Sequence, residues 1–221
     1  AVRQDIEEIL TLLRRRPELR SGFASAGVPA GWPPRTPAAH VTTPDRPFAT
    51  GSSEEGRLMG FVASTPEIFE ALELEVRHGR TFDTQDVEAG QPVAVLSQTA
   101  AATLFGTVNA VGRQVLHARD RGPTADARAV QTATVVGVVS DVAPGAADRQ
   151  AIMYVPLGQH VASALSLVVR SPGQPAVGVA ALRSAIRTAA PGLTVTLAGT
   201  GTLVLAPAAV AFGAITNLAT G

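Results

Sequence analysis

The chain has 221 residues, enough to bury a core as one large or two small domains. It contains neither Cys nor Lys, all of its 18 basic residues being Arg, which excludes thiol chemistry, thiolate zinc sites, disulfides, P-loop phosphate binding and Schiff-base catalysis. Its net charge is 0, and the only basic run, Arg14 to Arg16, suits the last turn of a helix and not a nucleic-acid surface.

Residues 1–16 are amphipathic: Val2, Ile6, Ile9, Leu10 and Leu13 share one helical face, and Pro17 ends the helix. The chain starts at Ala1 without a basic and apolar leader, so we expect either an excised fragment or export directed by a flanking segment. A strand is predicted near Gly22 to Ala26. Residues 27–57 are rich in Pro, Gly, Ser and Thr, which rules out regular helix there. Trp32 in that span reads as a lid over a neighbouring core, with a binding anchor as the alternative.

Leu58 to Ala63 is a predicted strand. Ser64, Thr65 and Pro66 then form a helix start, with Glu67 at the spacing of a capping box, and Ile68, Phe69 and Leu72 on one face. Gly79-Arg80 breaks the pattern. Asp83, Asp86 and Glu88 lack the spacing of a calcium loop and read as a solvated acidic turn. Pro92 to Leu96 is a compact apolar run, expected to be a buried strand. Ser97 to Phe105 is a short helix stopped by Gly106.

Arg113 to His117 and Thr132 to Val139 are the arms of a predicted hairpin around a polar loop. Gly137 inside the second arm signals a bulge or a close backbone approach. Ala151 to Pro156 and Leu165 to Arg170 are strands. A helix carrying Val179, Leu182 and Ile186 and a strand over Leu193 to Leu197 complete a βαβ unit. Gly199 to Thr202 reads as a flexible joint. Residues 188–221 carry no charge, and Leu203 to Ala219 approaches the length of a membrane span, although Pro207, Gly213 and Asn217 interrupt it. His40, His78, His117 and His160 are far apart without ligand spacing, and each is expected to be exposed or locally bonded. There is no G-x-S-x-G elbow. We expect no catalytic, cofactor or metal site.

Several of these phrases, in this order, resemble the extracytoplasmic core domain of MacB/FtsX-type ABC transporter permeases. The first comprises Val62, Ser64, Phe69, Leu72, Gly79, Arg80, Phe82 and Asp86. The second comprises Val93, Ala94, Val95, Ser97, Ala101, Phe105, Gly106, Gly112, Arg113 and Val115. Val135 to Val142 and Tyr154-Val155-Pro156 follow. Glu67-Ile68 stands where the family usually has a Gly-Tyr-like pair, and Ala102 near a common Arg. The residues taken as its structural signature are Phe69, Gly79, Arg80, Phe82, Phe105, Gly106, Gly112, Arg113 and Gly137. Arg80 is expected to tie two chain segments together through its guanidinium.

The resemblance implies an α+β domain in two parts. A porter-like subdomain of βαβ units would span 1–82 and 150–200, interrupted by a small β-rich, Sabre-like subdomain over 83–149. Residues 201–221 would be a membrane-proximal tail that continues as a helix toward a membrane span. It also implies a place on the outer, periplasmic face of the bacterial inner membrane, between transmembrane helices absent from this chain. The implied partners are a second permease copy, a cytoplasmic ATPase subunit or domain, and a periplasmic adaptor or lipoprotein, with no nucleic acid. The expected function is to transmit the work of cytoplasmic ATP hydrolysis to a substrate outside the membrane. The alternatives are a free-standing extracytoplasmic binding module, or an enzyme with a carboxylate site around Asp83 and Asp86.

Overall fold

The computed structural model describes residues 2–15, 20–25, 38–48, 56–83, 85–86, 90, 92–118, 130–142, 151–159, 164–171, 175–189, 195–202 and 209–216. The chain divides into two compact units. Unit 1 comprises Ala1–Arg35, Ser64–Leu74 and His160–Gly221, and unit 2 comprises Thr36–Ala63 and Glu75–Gln159. Residues 36–63, 75–82 and 150–159 thus fall in unit 2, not in the discontinuous part where the sequence reading put them. The reason is strand pairing: these stretches supply strands to the sheet of unit 2.

In unit 1, helix α1 (Val2–Arg14) packs on helix α4 (Pro175–Ala189) and on strand β1 (Arg20–Ser25). Ile9, Leu10 and Leu13 of α1 are buried, as are Ala181, Ala185 and Ile186 of α4. The side-chain surroundings of Val179 and Leu182 lie outside the described residues. The short helix α2 (Ile68–Ala71) packs on β1, with Ile68, Phe69 and Leu72 buried as their spacing predicts.

The sheet of unit 1 has the order β10 (Val195–Thr202), β11 (Ala209–Thr216), β9 (Ala164–Ser171), β1, and every neighbouring pair is antiparallel. Strands β9 and β10 are therefore parallel but not adjacent, and α4 crosses over β11, which lies between them. This corrects three expectations. The βαβ unit is split by a third strand. Gly199 to Thr202 belongs to β10 and is not a joint. Residues 209–216 form a strand and not a helix. Val210, Phe212, Ile215 and Thr216 favour extended backbone, and Gly213 would weaken a helix by about 1 kcal/mol.

In unit 2, six strands close on themselves. They are β3 (Arg57–Ser64, through Ala63), β2 (Ala38–Thr42), β6 (Gln114–Ala118), β7 (Gln131–Val139), β5 (Val93–Ser97) and β8 (Ile152–Pro156), and β8 pairs back onto β3. The Gly60 N–H donates to the Ala151 carbonyl at 2.8 Å where the ring shuts. The β5–β7 pair is parallel, while β2–β3, β2–β6, β6–β7 and β5–β8 are antiparallel.

Alternate residues of each strand turn inward, as the two-residue period of a strand requires. One buried cluster contains Ala39 and Val41, Met59 and Phe61, Ala94 and Leu96, Val115, Ala133 and Val135, and Met153 and Val155. On β7 the inward series passes from Val135 to Val138, a three-residue step across a register shift at Gly137. Helix α3 (Gln98–Phe105) adds Ala100 and Ala101 to the cluster. His117 is 2 % exposed, and its ring lies 5.2 Å from that of Phe61. Of the expectation that His117 is exposed or locally bonded, the exposed alternative does not hold, because His117 shares the inward parity of Val115. Strand β4 (Val76–Gly79) pairs with β7 on the edge that β6 leaves free. Neither β2 nor β4 was anticipated from the sequence.

Candidate functional site

The Gly79-Arg80 phrase and the phrase around Gly137 meet in unit 2 at one backbone contact. Gly79 ends β4 with φ +67°, a left-handed conformation that glycine adopts without steric cost. A Cβ on Gly79 would lie 2.3 Å from the Val136 carbonyl oxygen. A Cβ on Gly137 would lie 1.9 Å from the Arg80 carbonyl oxygen. Two glycines, one from each phrase, thus let β4 and β7 approach backbone to backbone. The Arg80 N–H completes the contact by donating to the Val136 carbonyl at 3.1 Å.

Beyond β4 the chain makes a turn held by charge. The Arg80 guanidinium forks onto Asp86, with Nη1 to Oδ2 at 2.5 Å and Nη2 to Oδ1 at 2.9 Å. Nη1 also donates to the Thr81 carbonyl at 3.0 Å. Asp86 Oδ2 accepts from the Asp83 N–H at 2.9 Å. Asp83 Oδ1 accepts in return from the N–H groups of Gln85 (2.8 Å) and Asp86 (3.1 Å). The Gln159 side-chain amide donates to the Asp86 carbonyl at 3.0 Å. The fork to Arg80 holds the Asp86 carboxyl below the usual carboxylate range, and the same bond raises the Arg80 guanidinium. Phe82, between these residues, is buried. The arrangement fixes the path of the chain, since both carboxylates are occupied in caps and in an ion pair. Glu88 lies outside the described residues. Among the described residues, no group of three or more His, Asp or Glu is placed to hold a metal ion.

The second phrase forms the β5–α3 corner and the turn after it. Ser97 is the N-cap of α3, its Oγ accepting from the Ala100 N–H at 3.2 Å and from the Ile152 N–H of β8 at 3.0 Å. Asp141 caps the same helix end, accepting from the Thr99 N–H (2.9 Å) and hydroxyl (2.8 Å). Gly106 ends the helix in the left-handed region, at φ +68°. Gly112 and Arg113 clamp the following turn to β7: the Gly112 N–H donates to the Val135 carbonyl, and the Val135 N–H to the Arg113 carbonyl, both at 2.8 Å. The Arg113 guanidinium sits 5.0 Å from the centre of the Phe105 ring, a cation–π distance. Tyr154 is buried on β8, and burial, with Asp141 adding, pushes its hydroxyl well above the ordinary tyrosine range.

Eight of the nine signature residues therefore lie in unit 2, and Phe69 lies in unit 1. In unit 1 the expected capping box does not form. Glu67 itself is the N-cap of α2 without a side-chain cap bond, and it forms an ion pair with Arg14 of α1. Ser64 ends β3, with its Oγ buried and unbonded among the described residues. Sequence reasoning missed the second bond of Ser97 and the cap from Asp141. Both join residues more than forty positions apart, and no local pattern encodes them.

The profile of the MacB-like periplasmic core domain matches residues 31–197. The chain belongs to that family. It is a family of ABC transporter extracytoplasmic domains, and its periplasmic setting fits an extracytoplasmic location for this MacB-like chain. Among solved structures, the MacB-like domain is similar to the extracellular domain of the noncanonic ABC-type transporter YknZ from Gram-positive bacteria. The identity is 21 % and the TM-score 0.42, over 68 % of this chain and 61 % of that one. The chain thus spans less than two thirds of the YknZ domain. It is also similar to the periplasmic region of MacB from Actinobacillus actinomycetemcomitans, at 12 % identity and TM-score 0.40, over 95 % of this chain and 82 % of that one. No curated protein matches. No helix among the described residues is long and apolar enough to cross a membrane.

Proposed function

We propose that this MacB-like domain is the extracytoplasmic part of an ABC transporter permease and acts as a mechanical relay. Unit 1 is read as the porter-like subdomain and unit 2 as the inserted Sabre-like one. The observation that carries the reading is the family match over residues 31–197. A relay needs bodies that move without deforming. The closed strand ring of unit 2, its packed interior and the glycine contact between β4 and β7 suit that requirement. In the intact transporter the domain would pair with a second permease copy. It would receive work from a cytoplasmic ATPase, and it would pass that work to a substrate, an adaptor or a lipoprotein outside the membrane.

The test is deletion of this domain from the intact transporter. Export or extraction of substrate should be lost while the cytoplasmic ATPase still turns over nucleotide. Unchanged transport by the deleted form would overturn the relay. Location is tested separately. The chain has no Cys, so Cys introduced at exposed Leu58 should react with a membrane-impermeant maleimide on spheroplasts. Labelling only after lysis would refute an outer location.

A further inference from the structure

At the start of α2, Ser64 Oγ and Glu67 Oε2 are buried without a hydrogen-bond partner among the described residues. Ser64 itself is 0 % exposed. A buried polar atom left unmet costs stability, so each such atom asks for a reason. Both belong to one unused pattern, for Ser64 and Glu67 stand at the spacing of a capping box. The Glu67 carboxylate is drawn elsewhere: its Oε1 pairs with Nη2 of Arg14, the last residue of α1. With Oε1 on α1, Oε2 meets no donor, so the side chain does not serve α1 and its own helix start together. The helix start shows the consequence. The Ile68 N–H donates to the Thr65 carbonyl at 3.2 Å and the Phe69 N–H to the Pro66 carbonyl at 3.4 Å, both over three residues. The four-residue ladder begins only with the Ala71 N–H on the Glu67 carbonyl, at 3.0 Å.

We propose that Glu67 is a two-position latch between α1 and α2. In the position seen, Arg14 holds the carboxylate and the start of α2 stays uncapped. In the other, Arg14 withdraws, the Ser64 hydroxyl accepts from the Glu67 N–H, and the carboxylate turns back onto its own helix start. Each arrangement leaves unmet what the other supplies. The first strands two buried oxygens, and the second parts an ion pair. The Arg14 side chain is 51 % exposed and that of Glu67 24 %, a setting in which an ion pair is weak, so neither arrangement wins by a wide margin. Little has to move. The last turn of α1 carries Arg14, and the buried Ile9 and Leu10 lie more than a turn behind it. The docking of α1 and the cap of α2 therefore compete for one side chain, and a displacement of the end of α1 is registered at the start of α2. This inference does not rest on the transport reading, because every contact in it lies within unit 1.

The test is amide hydrogen exchange of the full chain, followed by NMR at the Glu67 N–H. Arg14→Ala frees the carboxylate and should slow that exchange by about fivefold or more, as the Ser64 oxygen takes up the amide. Glu67→Gln gives up the charge that holds Arg14 but keeps a side chain that serves in a capping box, and it should act in the same direction. Ser64→Ala should leave the Glu67 amide unchanged in the otherwise native chain, where the hydroxyl makes no such bond. Added to Arg14→Ala or to Glu67→Gln, it should abolish the slowing. Native exchange at the amides of β5 in each variant shows that the fold is intact. Glu67 amides that exchange no more slowly in Arg14→Ala and Glu67→Gln than in the wild type overturn the latch. So does a Ser64→Ala change that speeds exchange equally with and without Arg14, for then the hydroxyl caps α2 in both positions.

Discussion

Gly137 has no room for one more carbon, because a Cβ would sit 1.9 Å from the Arg80 carbonyl oxygen. Gly137→Ala must separate β4 from β7 and should cost about 3 kcal/mol in chemical denaturation. Gly106→Ala is the control. Its φ is +68°, but nothing lies within 4 Å of the added carbon, so only the left-handed backbone resists, at about 1 kcal/mol. Equal costs would refute the packing argument. Asp86 makes a prediction in pH. Its folded-state pKa is lowered, first by the bond to Arg80. The stabilisation is therefore present above the unfolded value of ~3.9 and is lost as pH falls through the lower folded value. Asp86→Asn should be less stable at neutral pH and lose less on acidification to about pH 2, as followed by urea midpoints. Of this site, the sequence disclosed its residue types and little of its wiring. Gly79, Arg80 and Gly137 stand out as breaks in pattern, whereas the fork from Arg80 to Asp86 depends on a turn whose shape no spacing specifies.

Elements were legible where local pattern and burial agree. Strand β5 is a compact apolar run between a Pro and a Ser cap, and α3 carries its own start and stop signals. The β6–β7 hairpin shows in two apolar arms flanking a polar loop. The strands that went unread have other causes. Strand β2 is a short Pro-free window within a Pro-rich stretch, and β4 has no alternation of its own and forms only because β7 offers an edge. Strand β11 is uncharged throughout, which reads equally as a membrane approach or as a strand held between two others. The pattern around Ser64 was matched but not used, because Arg14 draws on Glu67 from a distant helix. At this scale Ser97 is the informative probe. Ser97→Ala removes the α3 cap and leaves the buried Ile152 N–H without its acceptor, for a cost of about 2 kcal/mol. A loss of a few tenths in thermal or urea unfolding would mean that a water replaces the hydroxyl. In the ring interior, Phe61→Ala should cost about 3–5 kcal/mol by the same measurement.

At the scale of the whole molecule, the chain divides into two units whose borders no local pattern marks. A border depends on which strand pairs with which, and β3 and β8 meet across about ninety residues of intervening chain. Unit 2 has its own closed pairing and its own core, so a chain of residues 36–63 and 75–159 joined by a short Gly/Ser linker should fold alone. A single cooperative thermal transition with dispersed amide resonances would establish this, and a collapsed, undispersed spectrum would count against it. A sheet with margins can unzip from its outermost strand inward, exposing a few residues at a time. The ring has no margin: freeing any one of its strands breaks two ladders at once. Digestion within those strands must therefore wait for the entire ring to open, and an added protease should find either intact strands or none.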